Sequence, residues 1–292
     1  MSDVLPVPVT AWLAYLGQKG KSQSTLDNYQ RALAHFIRWS EQSYGQSFDP
    51  ALIIPRDVAD WKSYQQIVEQ AKPATINIRL VALSRFFKWA VAQGHARTDP
   101  TGEVDGVRLE TRQPKSLDDT YVRRLLRQVK AGGNLRDEAI VEMLLGTGLR
   151  VSELLALRVG DVTTGERSGE VIVRYGKRGG YRTVPLTATV RKALRAYLDT
   201  MPELQPADRL WVGERGPLGD RGSVLYLLKK YAFQARLDES LISPHILRHT
   251  FATRYLAVNP DDLRGLAAIL GHSNLNTVMI YTQPRVQMSI DN

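Results

Sequence analysis

The first stretch with residues suited to phosphate chemistry is a Gly-Thr-Gly-Leu-Arg run that ends at Arg150. Its glycines, Gly146 and Gly148, predict the end of one helix, and Arg150 opens the next segment beside unpaired backbone N–H groups. Such an arrangement suits an anion. Glu153 follows three residues later and on a helix can hold the guanidinium in place. Because an Arg–Glu pair at this spacing is usually a surface pair, the run alone is weak evidence for an anion site.

A second stretch places two cationic side chains on one predicted helix face. Ser243 predicts a helix N-cap, and Pro244 suits the first turn. His245 and Arg248 differ by three residues, so both can reach one phosphate near the start of that helix. The spacing of His245 and His249 also occurs in zinc-binding helices. No glutamate follows His245 as that motif requires, and the chain has no cysteine and five histidines, so the sequence favours phosphate over zinc.

The third stretch ends in a tyrosine. Gly271 predicts the end of a helix, and Ser273 predicts the cap of a short helix after it. Tyr281 lies near the end of that second helix, nine residues after His272. A lone tyrosine in such a place is usually a packing residue with its hydroxyl in water.

Four helices are predicted over about the first 95 residues, because apolar residues step by three and four. They cover residues 9–18, a stretch after Ser24 as its N-cap, residues 57–71, and a stretch from about Thr75 to Gly94. Arg79, Arg85 and Lys88 fall outside the apolar stripe of the fourth helix. They are candidate contacts to a phosphate backbone, and a solvated helix face is an equally good interpretation.

The rest of the chain predicts a linker and a second domain. Residues 96–116 lack a regular apolar period, which is typical of a linker between domains at residues 1–95 and 117–292. Two β-branched runs joined by a Lys/Gly turn predict a hairpin over residues 169–175 and 181–186. Helices are predicted at residues 117–130, 136–145, 189–200, 221–235, 244–256, 261–270 and 275–281. The predicted fold class is mostly α with a small antiparallel β-sheet.

Composition indicates a basic globular protein. The 292 residues are 43% hydrophobic and 24% charged, and the length suits two domains better than one. No apolar run reaches the ~18 residues of a membrane span, and no secretory signal pattern begins the chain. The absence of cysteine excludes disulfide scaffolds and fits a reducing compartment, so a cytoplasmic location is expected.

The formal net charge of +9 is concentrated in the C-terminal part. Residues 1–110 carry 12 Lys and Arg against 11 Asp and Glu, whereas residues 111–292 carry 27 against 19. One interpretation is a C-terminal half that binds a polyanion. The other is a basic surface that binds no nucleic acid, and charge alone does not separate the two.

Together, the motifs resemble those of the tyrosine recombinases, the lambda-integrase-like family, and particularly its compact Xer-like members. The resemblance rests on Gly-Thr-Gly-Leu-Arg-Val-Ser-Glu, His-Ile-Leu-Arg-His, Leu-Gly-His and the tyrosine nine residues later, in that order. It covers the whole chain, since the N-terminal helices look like the family's core-binding domain, which clamps DNA. It implies a four-helix core-binding domain followed by a mixed α/β catalytic domain.

The resemblance also implies roles for individual residues. Arg150 and Arg248 grip the scissile phosphate, for which a planar, always charged fork is suited. Glu153 organises Arg150. Tyr281 attacks phosphorus, giving a 3′-phosphotyrosyl link and a free 5′-hydroxyl, and His245 helps to move the phenol proton.

Two further roles, those of His272 and Lys177, follow from the same resemblance, and Arg178 is added as a DNA-binding candidate. His272 hydrogen-bonds the phosphate, and Lys177 of the hairpin, beside Arg178, protonates the departing 5′-oxygen. Because the phosphotyrosine conserves bond energy, no ATP, metal ion or other cofactor is needed. The implied partner is double-stranded DNA with paired recombination sites in the nucleoid, bound by a homotetramer or by a heterotetramer with a paralogue.

Three functions fit these residues. The leading prediction is a site-specific recombinase that acts through a Holliday junction, in chromosome-dimer resolution, mobile-element resolution or integration. A type IB topoisomerase-like enzyme would use the same nucleophile to relax DNA. A non-catalytic DNA-binding protein of the same fold is the third hypothesis, and the full catalytic set argues against it.

Overall fold

The computed structural model describes residues 5–109, 116–174, 180–213, 216–271 and Met279. The chain divides into two compact units, unit 1 (Met1–Thr111) and unit 2 (Arg112–Asn292). Within the described residues, no helix is both long enough and apolar enough to cross a membrane.

The described residues of unit 1 form four helices, α1 (Val7–Gln18), α2 (Gln23–Tyr44), α3 (Pro55–Ile67) and α4 (Pro73–Ala92). The four-helix prediction is therefore confirmed, with two boundary corrections. The N-cap of α2 is Ser22 and not Ser24, because the Ser22 hydroxyl accepts a hydrogen bond from the Thr25 N–H. Helix α3 ends at Ile67 and not at residue 71, and Gln70 has a φ of 50°, which an α-helix cannot continue.

The apolar faces of these helices meet in a core rich in aromatic side chains. Trp12, Phe36, Trp61 and Phe86, one from each helix, are all buried. Trp12 lies edge-on to Phe86 at 5.7 Å and Phe36 lies edge-on to Trp61 at 5.0 Å, as ring quadrupoles favour. Burial of a ring such as Phe36 contributes roughly 1.5–3 kcal/mol. The predicted apolar stripes are therefore the core of unit 1.

A hydrogen-bond network joins the middle of α2 to the α3–α4 region. Trp61 Nε1 donates to His35 Nδ1 at 3.0 Å, and His35 Nε2 lies 2.7 Å from Glu69 Oε1. Because an indole N–H only donates, His35 carries its proton on Nε2 and donates it to Glu69. Arg79 Nη1 donates to Glu69 Oε2 at 2.9 Å and to the buried Gln65 Oε1 at 3.0 Å.

Residues 96–109 contain no helix or strand and are hydrogen-bonded to α3 and α4 within unit 1. The Asn77 side chain of α4 donates to the Val107 carbonyl at 2.8 Å and accepts from the Val107 N–H at 2.7 Å. Lys62 Nζ of α3 donates to the Asp105 carbonyl at 2.6 Å. This part of the predicted linker therefore packs on α3 and α4, whereas residues 110–115 lie outside the described residues.

Unit 2 is mostly helical with a small antiparallel sheet, which confirms the predicted fold class and hairpin. Its described helices are α5 (Asp119–Ala131), α6 (Leu135–Thr147), α7 (Val151–Ala156), α8 (Ala188–Leu198), α9 (Arg221–Gln234), α10 (Pro244–Val258) and α11 (Leu263–Leu270). The sheet has the order β1 (Val162–Thr164), β2 (Gly169–Arg174), β3 (Tyr181–Pro185), and β4 (Val212–Gly213) pairs with β5 (Gly216–Pro217). The predicted helix at 275–281 lies outside the described residues, apart from Met279.

Helix α6 is the centre of the unit 2 core. Ile140, Met143 and Leu144 are fully buried, because α6 packs against α5, α8 and α10. Nine of the 13 residues of α6 are buried, so this helix lies inside the unit and not at its surface. Trp211 Nε1 donates to the Leu154 carbonyl at 2.8 Å and so fixes α7 beside this core. The Gly-Thr-Gly-Leu-Arg run lies where α6 ends and α7 begins.

Candidate active site

The Gly-Thr-Gly-Leu-Arg run forms the tight connection between α6 and α7. Gly148 ends α6 with a φ of 63°, in the left-handed region. A Cβ at this position would lie 2.4 Å from Phe251 Cδ1 and 2.8 Å from Leu270 Cδ2, so glycine lets this turn lie directly against α10 and α11. Arg150 is the N-cap of α7, and its Nη1 donates to the Leu270 carbonyl at 3.4 Å.

Glu153, in the first turn of α7, is the carboxylate at the centre of the site. Its Oε2 accepts from the Arg150 backbone N–H at 2.9 Å, and its Oε1 accepts from Arg150 Nη1 at 2.9 Å. Arg248 Nη1 lies 4.0 Å from Oε2. The Glu153 side chain is 13% exposed, whereas that of Arg150 is 43% exposed. The structure therefore brings Arg150, Glu153 and Arg248, from two separate sequence motifs, into one cluster.

Arg182 of β3 belongs to this cluster and was missed by the sequence prediction. Its Nη1 donates to Glu153 Oε1 at 3.1 Å and its Nη2 to Oε2 at 2.8 Å, which makes a bidentate ion pair. Its Nε donates to the Ile269 carbonyl at 2.7 Å. The sequence did hold a signal, because strand alternation puts Arg182 on the same face as the buried Val184. A charge on a core face needs a partner, and Glu153 is that partner.

The arginines keep Glu153 ionised. Burial raises the pKa of Glu153, but the hydrogen bonds from Arg182 and from the Arg150 N–H outweigh it, together with the positive charges of both residues. The pKa of Glu153 therefore lies below its ordinary value of 4.5. At neutral pH three guanidiniums face one carboxylate, which leaves the cluster with an excess of positive charge.

Arg248 is held by backbone carbonyls from two other elements. Its Nη1 donates to the Gly148 carbonyl at 2.7 Å and its Nη2 to the Leu270 carbonyl at 2.8 Å, and its side chain is 4% exposed. The last carbonyls of a helix are partly negative and lack partners within the helix. Those of Ile269 and Leu270 in α11 accept bonds from all three arginines of the cluster.

His245 lies in the first turn of α10, where the Ser243 hydroxyl accepts from the Ile246 N–H at 3.2 Å. Desolvation lowers the pKa of His245 from 6.5, and the positive charges of Arg248 and Arg150 lower it further. The imidazole is therefore neutral at physiological pH and can accept a proton.

The zinc alternative involves the ring of His249, which lies edge-on to that of His245 with centroids 4.4 Å apart. In the part of the chain that the structure describes, no three His, Cys, Asp or Glu residues are grouped so that they could hold a metal ion.

Four predicted site residues lie outside the described residues: Lys177, Arg178, His272 and Tyr281. The C-cap of α11 is Gly271, which has a φ of 65° and immediately precedes His272 in the sequence. Lys177 and Arg178 belong to the connection between β2 and β3, five and four residues before Arg182.

The three candidate DNA contacts on α4 have different surroundings. The Arg79 guanidinium donates hydrogen bonds to Glu69 and Gln65 within unit 1. Arg85 is exposed, hydrogen-bonds the Tyr29 hydroxyl, and lies over that ring at 5.6 Å from its centroid. Lys88 is exposed one turn further along α4.

Helix α9 has an exposed face that the sequence prediction did not single out. Tyr226 and Phe233 are 73% and 71% exposed, and the exposed Lys229 and Lys230 lie between them on the same face. The two ammonium groups on this exposed face can contact the phosphates of a nucleic acid, and the two rings flank them. The buried residues Val224, Leu227 and Leu228 occupy the opposite face.

Comparison with known proteins agrees with these features. A family model described as "Phage integrase family" matches residues 115–288, and one described as "Phage integrase, N-terminal SAM-like domain" matches residues 9–94. Tyrosine recombinase XerD of Ralstonia nicotianae is 36% identical over 271 residues, which cover 91% of this chain and 85% of that protein. Tyrosine recombinase XerD of Rhizobium meliloti is 34% identical over 298 residues, which cover 97% and 92%.

A solved structure has the same fold. The lambda integrase dimer bound to a COC′ core site matches with a TM-score of 0.75 and 18% identity, covering 99% of this chain and 98% of that one. The family model that matches residues 115–288 covers more than half of the chain, and the XerD proteins are similar over nearly all of it. The chain belongs to the phage integrase family and is a tyrosine recombinase.

Proposed function

We propose that this tyrosine recombinase cuts and rejoins DNA at specific sites, with Tyr281 as the nucleophile and Arg150 and Arg248 as the phosphate-binding groups. The observation that carries the proposal is the arginine cluster fixed around Glu153 and the end of α11. Two guanidiniums hydrogen-bonded to one carboxylate, with a third held beside them by backbone carbonyls, form a cationic platform for a phosphodiester.

The hydrogen bonding of Arg150 supports a phosphate-binding role. Among the described contacts, its side chain donates only through Nη1, to Glu153 and Leu270, so Nε–H and Nη2–H are available to non-bridging oxygens. A planar fork that is already oriented suits a phosphate. As charge builds up in the pentavalent transition state, one preorganised donor contributes roughly 3 kcal/mol.

The proposed reaction is a transesterification, in which one phosphorus–oxygen bond forms as another breaks, and one proton is accepted as another is donated. The Tyr281 oxygen bonds to phosphorus while the bond from phosphorus to the 5′-oxygen breaks. His245, whose lowered pKa keeps it neutral, accepts the phenol proton, and Lys177 gives a proton to the 5′-oxygen. His272 hydrogen-bonds the phosphate.

The resulting 3′-phosphotyrosine conserves the bond energy of the phosphodiester. A 5′-hydroxyl from a partner strand attacks it and regenerates Tyr281, and one such exchange between two duplexes forms a Holliday junction. These two transesterifications consume no nucleoside triphosphate and use no metal ion.

Exposed cationic and aromatic side chains provide the DNA-binding surfaces in this proposal. On α9 these are Tyr226, Lys229, Lys230 and Phe233, and on α4 they are Arg85 and Lys88. Arg178, beside Lys177, is a further contact. Arg79 is the weakest of the original candidates, because Glu69 and Gln65 already hold its guanidinium.

Strand exchange sets the size of the proposed assembly. Each of two duplexes is cut on both strands in the course of the reaction, so four protomers are needed, as a homotetramer or as a heterotetramer with a paralogue. The substrate is double-stranded DNA with paired sites, which places the protein at the nucleoid in the cytoplasm.

Covalent trapping tests the function and finds the target. Protein is incubated with fragmented genomic DNA, denatured, and recovered, and the attached DNA is sequenced. The wild type should enrich one sequence class, and Tyr281→Phe should retain binding but give no adduct. Adducts formed by Tyr281→Phe would show that another residue is the nucleophile. Relaxation of a supercoiled plasmid that lacks the enriched sequence would favour a topoisomerase instead.

A further inference from the structure

Arg182 joins three elements of unit 2. From β3 it reaches Glu153 on α7 through Nη1 at 3.1 Å and Nη2 at 2.8 Å, and the Ile269 carbonyl on α11 through Nε at 2.7 Å. Its side chain is 7% exposed. Such a residue is too buried to serve as a surface contact, and its planar fork faces one carboxylate.

We propose that Arg182 is a positioning residue for DNA cleavage, which orients Glu153 so that Arg150 and Arg248 keep a fixed geometry toward the scissile phosphate. The proposal rests on the proposed function of the site and adds a residue to it.

The bonding of Glu153 shows how Arg182 acts. Each carboxylate oxygen accepts one N–H from Arg182 and one from Arg150: Oε1 from the two Nη1 atoms, and Oε2 from Arg182 Nη2 and the Arg150 backbone. A carboxylate has about four acceptor sites, so these four bonds saturate it. Without Arg182, two sites become vacant, and Glu153 turns to take further N–H groups from Arg150 or from Arg248, which lies 4.0 Å away. Those donors are then lost to the phosphate.

Arg182 also offsets the charge of Glu153. With it, three guanidiniums face one carboxylate, and the cluster attracts a phosphate. Without it, two guanidiniums remain, and the carboxylate cancels a larger share of the field that the phosphate meets. Because the surroundings are largely buried, this loss is screened less than it would be at the surface.

The position of Arg182 in the chain extends its effect to other site residues. It follows Lys177 by five residues, and its partner Ile269 precedes His272 by three. The bond from Arg182 Nε to the Ile269 carbonyl fixes β3 against the last turn of α11. One side chain therefore ties the strand that follows Lys177 to the helix that precedes His272.

Unit 2 offers a matched control in Arg136. Its Nε and Nη2 donate to the buried Asp137 Oδ1 at 3.1 and 2.8 Å, and its Nη1 donates to the Val212 carbonyl at 3.2 Å. It has the same chemistry as Arg182, a buried carboxylate and a backbone carbonyl, at a place that holds no proposed catalytic group. Arg136→Met therefore reports the structural effect of losing such an arginine.

The test measures single-turnover cleavage of a nicked DNA that carries the trapped target sequence, at saturating protein, with DNA affinity and thermal unfolding measured separately. Arg182→Met should cleave about 10²-fold more slowly, the effect of a small misplacement of catalytic groups, while its DNA affinity changes little. The cleavage rate of Arg182→Lys should lie between those of the wild type and Arg182→Met, since lysine keeps the positive charge and lacks the planar guanidinium. Arg136→Met should lower the unfolding temperature but cleave at the wild-type rate below it.

A double-mutant cycle separates positioning from mere stability. If Arg182 acts through Glu153, Arg182→Met should slow cleavage by less than about threefold in a Glu153→Gln background. The loss should also shrink on a substrate with a methylphosphonate at the scissile position, because replacing one anionic oxygen by methyl lessens the need for aligned guanidiniums. The proposal would be wrong if Arg182→Met slowed cleavage as much in the Glu153→Gln background and on the methylphosphonate substrate as it does in the wild-type protein on unmodified DNA.

The remaining outcomes are also decisive. If wild type gives no covalent adduct on any DNA, the proposed function itself fails. If wild type cleaves and both Arg182 variants cleave as fast, the site is correct and the role of Arg182 is wrong. If Arg182→Met does not fold, Arg182→Lys replaces it in the double-mutant cycle with Glu153→Gln.

Discussion

Replacement of Gly148 by alanine tests whether the close approach of the α6–α7 turn to α10 and α11 supports the site. An alanine at φ 63° costs roughly 1–2 kcal/mol in backbone strain. Its Cβ would also meet Phe251 Cδ1 at 2.4 Å and Leu270 Cδ2 at 2.8 Å, and overpacking of this kind costs about 1–3 kcal/mol. The free energy of unfolding of unit 2 should therefore fall by about 2–5 kcal/mol.

Gly133 is the matched control for this substitution. It lies in the same unit with a φ of 67°, but no atom lies within 4 Å of a Cβ built there. Gly133→Ala should therefore lose only the backbone contribution, roughly 1–2 kcal/mol. Hydrogen exchange of the α6 amides, which are among the most buried of unit 2, gives the opening free energy of each variant.

The same substitution should affect cleavage. The Gly148 carbonyl anchors Arg248 Nη1 at 2.7 Å, so a shift of the turn moves a phosphate-binding group. Gly148→Ala should cleave more slowly than Gly133→Ala at a temperature where both are folded. Equal stability losses for the two variants would refute the reasoning, because they would mean that Phe251 and Leu270 move aside without cost.

DNA affinity should fall steeply with salt, because Lys and Arg contacts to phosphates release counterions, and a flat plot of log binding constant against log salt concentration would contradict the proposed DNA surfaces. Lys177→Ala should slow cleavage, and a 5′-thio leaving group, which needs less protonation, should restore the rate; without that recovery Lys177 is not the acid. Unit 1 should lose stability below pH 6.5, because burial and the charge of Arg79 lower the pKa of His35 in spite of its hydrogen bond to Glu69. The folded state then binds fewer protons than the unfolded state, so this stability is complete above 6.5 and is lost as the pH falls through the folded pKa, with a slope of at most about 1.4 kcal/mol per pH unit. Hydrogen exchange of the α2 amides between pH 7.5 and 5 measures this loss, and His35→Gln should abolish the pH dependence.

Local patterns in the sequence are sufficient to predict most of the elements. The buried residues Leu33, Phe36 and Ile37 recur at helical spacing in α2, and Val171 and Val173 alternate in β2. The six residues of α7 make fewer than two turns, and β1 has three residues, so neither has a period that can be recognised.

From residue spacing alone, the site was predictable only where its contacts are local, whereas the expectation that Arg150 and Arg248 share one phosphate came from the family resemblance. The Arg150–Glu153 pair follows from a spacing of three residues. The bond from Arg248 to the Gly148 carbonyl joins residues 100 positions apart, and the pair of Arg182 with Glu153 joins residues 29 positions apart. No local pattern encodes such contacts, which exist because α6, α10 and β3 pack on one core. Arg182 was missed for this reason, although its inward register in β3 was a signal.

The low pKa of Glu153 has a consequence for kinetic experiments. Guanidiniums do not titrate in proteins, and a carboxyl held below 4.5 stays charged from mild acid upward. The charges of Glu153 and of the arginines around it are therefore the same throughout the pH range of enzyme assays. Glu153 and the three arginines therefore add no bend to a rate profile between pH 5 and 9, and among the proposed catalytic groups only the imidazoles, the ammonium and the phenol can do so.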